Sequence, residues 1–218
     1  MPTRSQPKTL PAKLYLLACS PDTERLSSGR ELGVLLRGAA LTDLSLRKYL
    51  RDESGKVRAS GTKRSGDPVL DELLREISEA PARPWSAWIR RGGRSTVRAI
   101  EAQLESAGLI GVRQLRMLGI FPVRRISLSD PELVAELREG ARKTLLGEEK
   151  AEDVDKFDAA LVSLASAGAL RAVLSRKEER GYASRINELT ARCDAVVPVV
   201  QRVIKQVKSA RAAAYAGG

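Results

Sequence analysis

The chain has 218 residues, with 38 Lys or Arg against 27 Asp or Glu, and it contains no histidine. The missing histidine excludes Ser-His-Asp and Cys-His nucleophile pairs, imidazole metal ligands and imidazole proton shuttles. Two cysteines, Cys19 and Cys193, are too few for a cysteine zinc site or a disulfide framework, and a formal charge of +11 directs attention to polyanionic partners.

Residues 1–10 carry two prolines and no apolar periodicity, and read as a loose tail. Leu14 to Cys19 reads as a buried segment. The stretch Leu16-Leu17-Ala18-Cys19 resembles a lipoprotein cleavage box, but Pro11 and Lys13 leave too short an apolar run for a signal segment. No run reaches the ~18 apolar residues that span a bilayer, so the expectation is a cytoplasmic protein with reduced, buried cysteines. From Arg30 to Leu50 the apolar spacing is helical, through Leu32, Leu35, Leu36, Ala39, Ala40 and Leu44. Arg51 to Val57 reads as a hairpin turning at Ser54-Gly55. Asp67-Pro68 opens a helix through Val69, Leu70, Leu73, Leu74 and Ile77, and Trp85 to Arg90 forms a short helix closed by Gly92-Gly93.

Ser95 is the expected N-cap of a helix over 96–106, with Gly108 as its stop. Leu109 to Val112 and Gly119 to Val123 read as two strands. Asp130-Pro131 opens a helix to about Leu146. The acidic stretch from Gly147 to Asp158 is expected to begin the next helix, which runs on through Leu161, Leu164 and Leu170. A turn or hairpin is expected over 171–182, and helices over 182–193 and 195–215. The sum is a mainly α fold: one compact helical domain over 11–215 with small peripheral β-hairpins, a tail over 1–10 and a frayed end over 216–218. With only eight aromatic residues, its core rests on Leu, Val, Ile and Ala.

Charge is uneven along the chain. Residues 44–65 hold seven basic and two acidic side chains, and residues 83–125 hold nine arginines against Glu101 and Glu105. Residues 130–158 reverse the sign, with five basic and ten acidic groups. The arginine-rich 94–125 region has the order of a winged helix, a helix followed by a basic hairpin, which is one route to nucleic acid. Its helix carries Glu101 and Glu105 and little that reads base edges, so nucleic acid is the alternative reading. The final helix has an apolar stripe through Val199, Val200, Val203, Ile204 and Val207, which is expected to pack on the core. No G-x-x-x-x-G-K-[ST] or G-x-G-x-x-G loop and no acid–base pair occurs. The chain therefore reads as a binding protein with no catalytic residues, no metal and no cofactor.

The run from Leu35 to Arg47 places Arg37 and Asp43 inside an otherwise apolar helix. A charge there is either paired internally, Arg37 with Asp43, or surfaces at a functional spot. In the second case the guanidinium is held to grip phosphate in a bidentate way.

The run Gly33-Val34-Leu35-Leu36-Arg37-Gly38-Ala39-Ala40-Leu41-Thr42-Asp43-Leu44-Ser45-Leu46-Arg47 resembles the Golgi phosphoprotein 3 family, also called GPP34. The likeness continues through Asp67-Pro68-Val69-Leu70-Asp71-Glu72-Leu73-Leu74, Trp88-Ile89, Leu104 to Ile110 and the helices after Asp130, over about residues 10–205. The chain is identified as a bacterial-type member. The resemblance implies a mostly helical domain that acts as a peripheral membrane adaptor. Such adaptors bind phosphatidylinositol 4-phosphate or a similar anionic headgroup, hold the cytoplasmic tails of membrane proteins, and self-associate. It places the headgroup arginine on Arg37 and the family's tryptophan on Ser28. The family's later basic pair falls near 136–139, where Arg138 and Arg142 lie one turn apart. The family's hydrophobic hairpin falls near 171–182, here strongly charged.

Overall fold

The structure, a computed structural model, describes residues 6–20, 23–27, 31–61, 63–117 and 121–216. Ten helices and three small antiparallel sheets appear among them, in accord with the expected mainly α fold. At the centre lies α2 (Glu31–Leu46), buried at every position except Gly33, Val34 and Leu46. A helix apolar all round belongs inside a bundle. Around it stand α1 (Leu10–Ala18), α3 (Pro68–Glu79), α4 (Trp85–Arg90), α5 (Gly93–Ser106), α7 (Lys156–Ala167) and α10 (Val196–Ala216), all in contact with α2.

Two glycines let α2 approach its neighbours closely. A Cβ on Gly38 would lie 2.5 Å from Val200 Cγ2 on α10. A Cβ on Gly33 would lie 3.0 Å from the backbone of Gly93, and one on Gly93 would lie 2.9 Å from the backbone of Gly33. The two main chains therefore touch where α5 begins. That contact moves the start of α5: the helix begins at Gly93, with Gly92 as N-cap at φ 68°, rather than at Thr96 after a Ser95 cap. Ser95 instead lies in the first turn and donates its hydroxyl to Gly92 O at 2.8 Å. Glycine suits this start because an L side chain at φ 68° is strained.

Other boundaries follow local chemistry. Asp67 caps α3, accepting from the N–H groups of Val69 and Leu70 at 3.0 Å. Gly108 at φ 69° closes α5, with Leu109 N–H on Leu104 O and Gly108 N–H on Glu105 O. The expected hairpin is β3 (Leu50–Glu53) with β4 (Lys56–Ala59), and its turn residues Ser54 and Gly55 both have positive φ. β5 (Arg83–Pro84) adds to β4, and β1 (Cys19–Ser20) pairs with β2 (Arg25–Leu26). β6 (Ile110–Met117) and β7 (Phe121–Leu128) make a longer hairpin than the sequence suggested.

Two expectations on the C-terminal side are corrected. The acidic residues 147–155 form a connector, not the start of a helix. α6 (Pro131–Leu146) stops before Gly147, and α7 starts only where Asp155 accepts from Phe157 and Asp158 N–H. The 171–182 segment opens with the expected turn at 171–173 but forms no hairpin: it goes on into α8 (Arg176–Gly181). There Ser175 and Glu178 satisfy each other's backbone N–H in a capping box, which favours a helical turn over a strand. α9 (Ala183–Arg192) follows, and the apolar stripe of α10 packs on α2 and α7 as expected.

Gly38→Ala should destabilise the fold by about 1–3 kcal/mol, because Val200 is branched at Cβ and cannot fold aside. Urea unfolding of Gly38→Ala, Val200→Ala and the double variant should show the double variant losing clearly less than the sum of the single losses.

Candidate anion-binding site

Arg37 sits in the middle of α2 with its side chain 3% exposed. A guanidinium buried there must be paired, because leaving the charge bare costs far more than any packing returns. The internal pair with Asp43, one of the two readings of the sequence, does not form. Six residues of helix place the two about 9 Å apart along the axis and on different faces. Each finds a partner on a neighbouring helix.

Arg37 is gripped by Glu76 of α3. Its Nη2 donates to Glu76 Oε2 at 2.5 Å and its Nη1 to Oε1 at 3.4 Å, a two-pronged contact. Nε donates to the Trp88 carbonyl at the end of α4, and Nη1 also donates to Thr96 Oγ1 in the first turn of α5, both at 3.4 Å. A Cβ on Gly92 would lie only 3.1 Å from Arg37 Cζ, so the guanidinium lies directly beneath the α4–α5 turn.

Asp43 is fully buried. Its Oδ2 accepts the Leu10 N–H at 2.7 Å, and its Oδ1 accepts Arg47 Nε at 2.5 Å. It thus caps the start of α1 from a distance, in a position where Thr9 makes no side-chain cap. Burial pushes the Asp43 carboxyl above its ordinary range, against the downward pull of Leu10 N–H and Arg47.

The surface above Arg37 is basic. Arg90 and Arg91 end α4, Arg94 begins α5, and all three are exposed around the Gly92-Gly93 turn. α5 has no acidic residue in its first turn and no side-chain cap. Its free N–H groups and its dipole therefore add positive potential at the same spot. Arg90 is steadied by Gln206 of α10, at 2.5 Å. The arrangement is suited to an anion: one guanidinium fixed from below, with three exposed arginines, one of them bonded to Gln206, on the turn above it at a helix start. Glu76, its side chain one-third exposed, holds that fixed guanidinium in the unliganded protein.

The other residues implied by the family likeness fall elsewhere. Ser28 lies outside the described residues. Arg138 and Arg142 are on α6, which packs on α1 and α7, whereas the bonds of Arg37 run to α3, α4 and α5. Arg142 donates to Val173 O at 3.1 Å and to Glu178 at 2.7 Å. Its bond, with help from Ser175, draws the Glu178 carboxyl down to about 2. Arg142 thus pins the segment before α8, and the structure does not bring it or Arg138 beside Arg37. The partnership with Glu76 lies 39 positions away in sequence. Its one sequence signal is a carboxylate flanking the apolar stripe of α3 beside Ile77.

The arginine-rich hairpin is partly engaged within the protein. Arg124 donates to Glu101 at 2.7 Å, and Glu101, itself buried, also accepts from Tyr15 OH at 2.9 Å. Arg125 donates to the Thr23 carbonyl. Glu101 is therefore the anchor between α5, α1 and the hairpin. Burial raises the Cys19 thiol to about 12 and the Cys193 thiol to about 11, so neither supplies a thiolate at neutral pH.

Residues 10–207 match the family model described as Golgi phosphoprotein 3 (GPP34). The chain belongs to the GPP34 family. The comparison with curated proteins returned no match. The GPP34 match begins at Leu10, whose N–H is held by Asp43, and ends inside α10. It therefore covers all of α2 and every partner of Arg37. The last turns of α10, residues 208–216, continue beyond the GPP34 match as exposed helix at least as far as Ala214. No described helix of this GPP34 protein is long and apolar enough to cross a membrane.

Asp43→Ala should cost about 1–3 kcal/mol in urea unfolding, because it strands the buried Leu10 N–H, while Arg47, partly in water, keeps the Lys8 carbonyl and the Phe157 ring. Asp43→Asn keeps the acceptor for Leu10 and should lose less than half as much.

Proposed function

We propose that this GPP34 protein is a non-enzymatic, peripheral membrane adaptor on the cytoplasmic side, and that it binds anionic phospholipid headgroups at the Arg37 site. The observation that carries the reading is the fixed guanidinium of Arg37 beneath a helix start ringed by Arg90, Arg91 and Arg94. Family membership supports it, since the resemblance that marks Arg37 also implies phosphatidylinositol 4-phosphate binding and the holding of client tails.

Charge assigns the steps. The net charge of +11 steers the protein to an anionic bilayer, where each Lys or Arg near the surface contributes roughly 1 kcal/mol. The three exposed arginines then engage headgroup phosphates, and Arg37 fixes the orientation of one of them from below. With no bilayer-crossing helix among the described residues, attachment through headgroups fits a protein that rests on the membrane. Arg138 and Arg142 are left out of this site, since Arg142 holds Glu178. The nucleic-acid alternative draws less support, because Arg124 and Arg125 of the hairpin are engaged with Glu101 and Thr23.

Flotation with phosphatidylcholine vesicles containing phosphatidylinositol 4-phosphate, or phosphatidylglycerol at matched charge, tests the reading. Replacing Arg90, Arg91 and Arg94 together by Ala should weaken binding about a hundredfold at physiological salt. The equally exposed Lys56, Lys63 and Arg64, replaced together, should matter far less. Equal losses from both triples would reduce the protein to a charge-driven binder, and no loss from the first would remove the site.

A further inference from the structure

We propose that Glu76 is a built-in competitor for the Arg37 site: its carboxylate occupies the guanidinium until a phosphate-bearing anion displaces it. The inference rests on the reading of Arg37 as an anion site. It adds the residue that sets how strong an anion must be to enter.

The geometry points to a displaceable contact. Arg37 is buried in α2 and held from behind by the Trp88 carbonyl and the Thr96 hydroxyl. Glu76 comes from the edge of the buried stripe of α3, with its side chain 33% exposed against 3% for Arg37. Both carboxylate oxygens face the guanidinium, which is the geometry an incoming phosphate would reproduce. No second cation is bonded to Glu76 among the described residues. The neighbouring carboxylates Glu72 and Glu79 are both bonded by Arg75; the charge of Arg37 reaches Glu72 only through space, so Glu76 is the carboxylate in direct contact with the guanidinium. Glu76 therefore has one partner and an open route to water.

Replacing the carboxylate is also feasible for the fold. Arg37 needs an anion or a set of acceptors at all times, because its desolvated charge cannot stand alone. A phosphate oxygen arriving from the basic rim of Arg90, Arg91 and Arg94 provides one as Glu76 leaves. The released carboxylate then faces water and the same arginine rim. Exchange of one anion for another keeps the buried charge neutralised throughout. A single carboxylate is a weak competitor for a dianionic phosphate and a strong one against chloride. The contact therefore sets a threshold that screens out ordinary salt.

The test uses the full chain as wild type, Glu76→Gln, Glu76→Asp and Glu79→Gln. Two probes separate the sources of phosphate: inorganic phosphate by calorimetry, and flotation on phosphatidylcholine vesicles carrying phosphatidylinositol 4-phosphate, whose phosphomonoester supplies the dianion. Glu76→Gln should bind inorganic phosphate about tenfold more tightly than wild type, since the amide keeps an acceptor but gives up the charge. Glu76→Asp, whose carboxylate is one methylene shorter, should fall between the two, and serves if Glu76→Gln folds poorly. Glu79→Gln removes the same charge from the same helix without touching Arg37, and should bind as wild type does. If folded Glu76→Gln and Glu76→Asp bind phosphate no better than wild type, or if Glu79→Gln gains as much, the competitor is refuted. Tighter phosphate binding without any vesicle binding would uphold Glu76 and sink the membrane reading. Vesicle binding that is equal in all four proteins, with no gain for phosphate, would do the reverse.

Discussion

The rest of the structure depends on the burial of two opposite charges in one central helix. α2 is apolar nearly all round, yet it carries Arg37 and Asp43 at positions that water does not reach. Neither charge is tolerable there alone. Each recruits a neighbour: Arg37 takes Glu76 of α3, the end of α4 and the first turn of α5, and Asp43 takes the start of α1 and Arg47. Four of the helices packed on α2 are thus set in place by polar contacts as well as by leucines. Glycines at 33 and 93 bring the main chains of α2 and α5 into contact beside these bonds, and Gly38 makes room for Val200 of α10.

The same constraint creates the candidate site. A guanidinium that is fixed for structural reasons is also preorganised for a ligand, since no rotamer freedom remains to be lost on binding. What changes between scaffold and site is the identity of the anion. Glu76 satisfies Arg37 in the free protein, and its exposed position leaves room for another anion to do so. The surrounding arginines on the α4–α5 turn have no such structural duty toward Arg37 and stay in water, ready to meet a charged surface.

Much of the fold was legible in the sequence because it follows local rules. Asp67-Pro68 and Asp130-Pro131 start helices through the acceptors they offer, Ser54-Gly55 turns a hairpin, and Gly108 ends a helix. The errors came where tertiary contacts or competing caps decided. Ser95 looked like a cap, but the contact between Gly33 and Gly93 starts the helix two residues before it. The charged 171–182 stretch looked like a turn or hairpin, but Ser175 and Glu178 cap it into α8, and Arg142 holds that cap from α6. For the site, the sequence exposed Arg37 as an anomaly, and the family likeness gave it a role. Glu76 was invisible because nothing in one dimension links positions 37 and 76. The same holds for Arg138 and Arg142: spacing on one helix does not say which neighbour that helix meets, and α6 meets α1 and α7, where Arg142 bonds Glu178.

The most direct measurement is a side-chain NMR titration of the arginine Nε–H groups with a soluble phosphomonoester, glycerol phosphate. Arg37, buried and bonded, should give a slowly exchanging signal in the free protein. That signal should shift and saturate together with those of Arg90, Arg91 and Arg94, while Arg75, held by Glu72 and Glu79, stays in place. A titration in which the exposed arginines move in proportion to added salt and Arg37 never moves would contradict the site. Arg37 would then be a structural charge, paired with Glu76 for the sake of the fold alone.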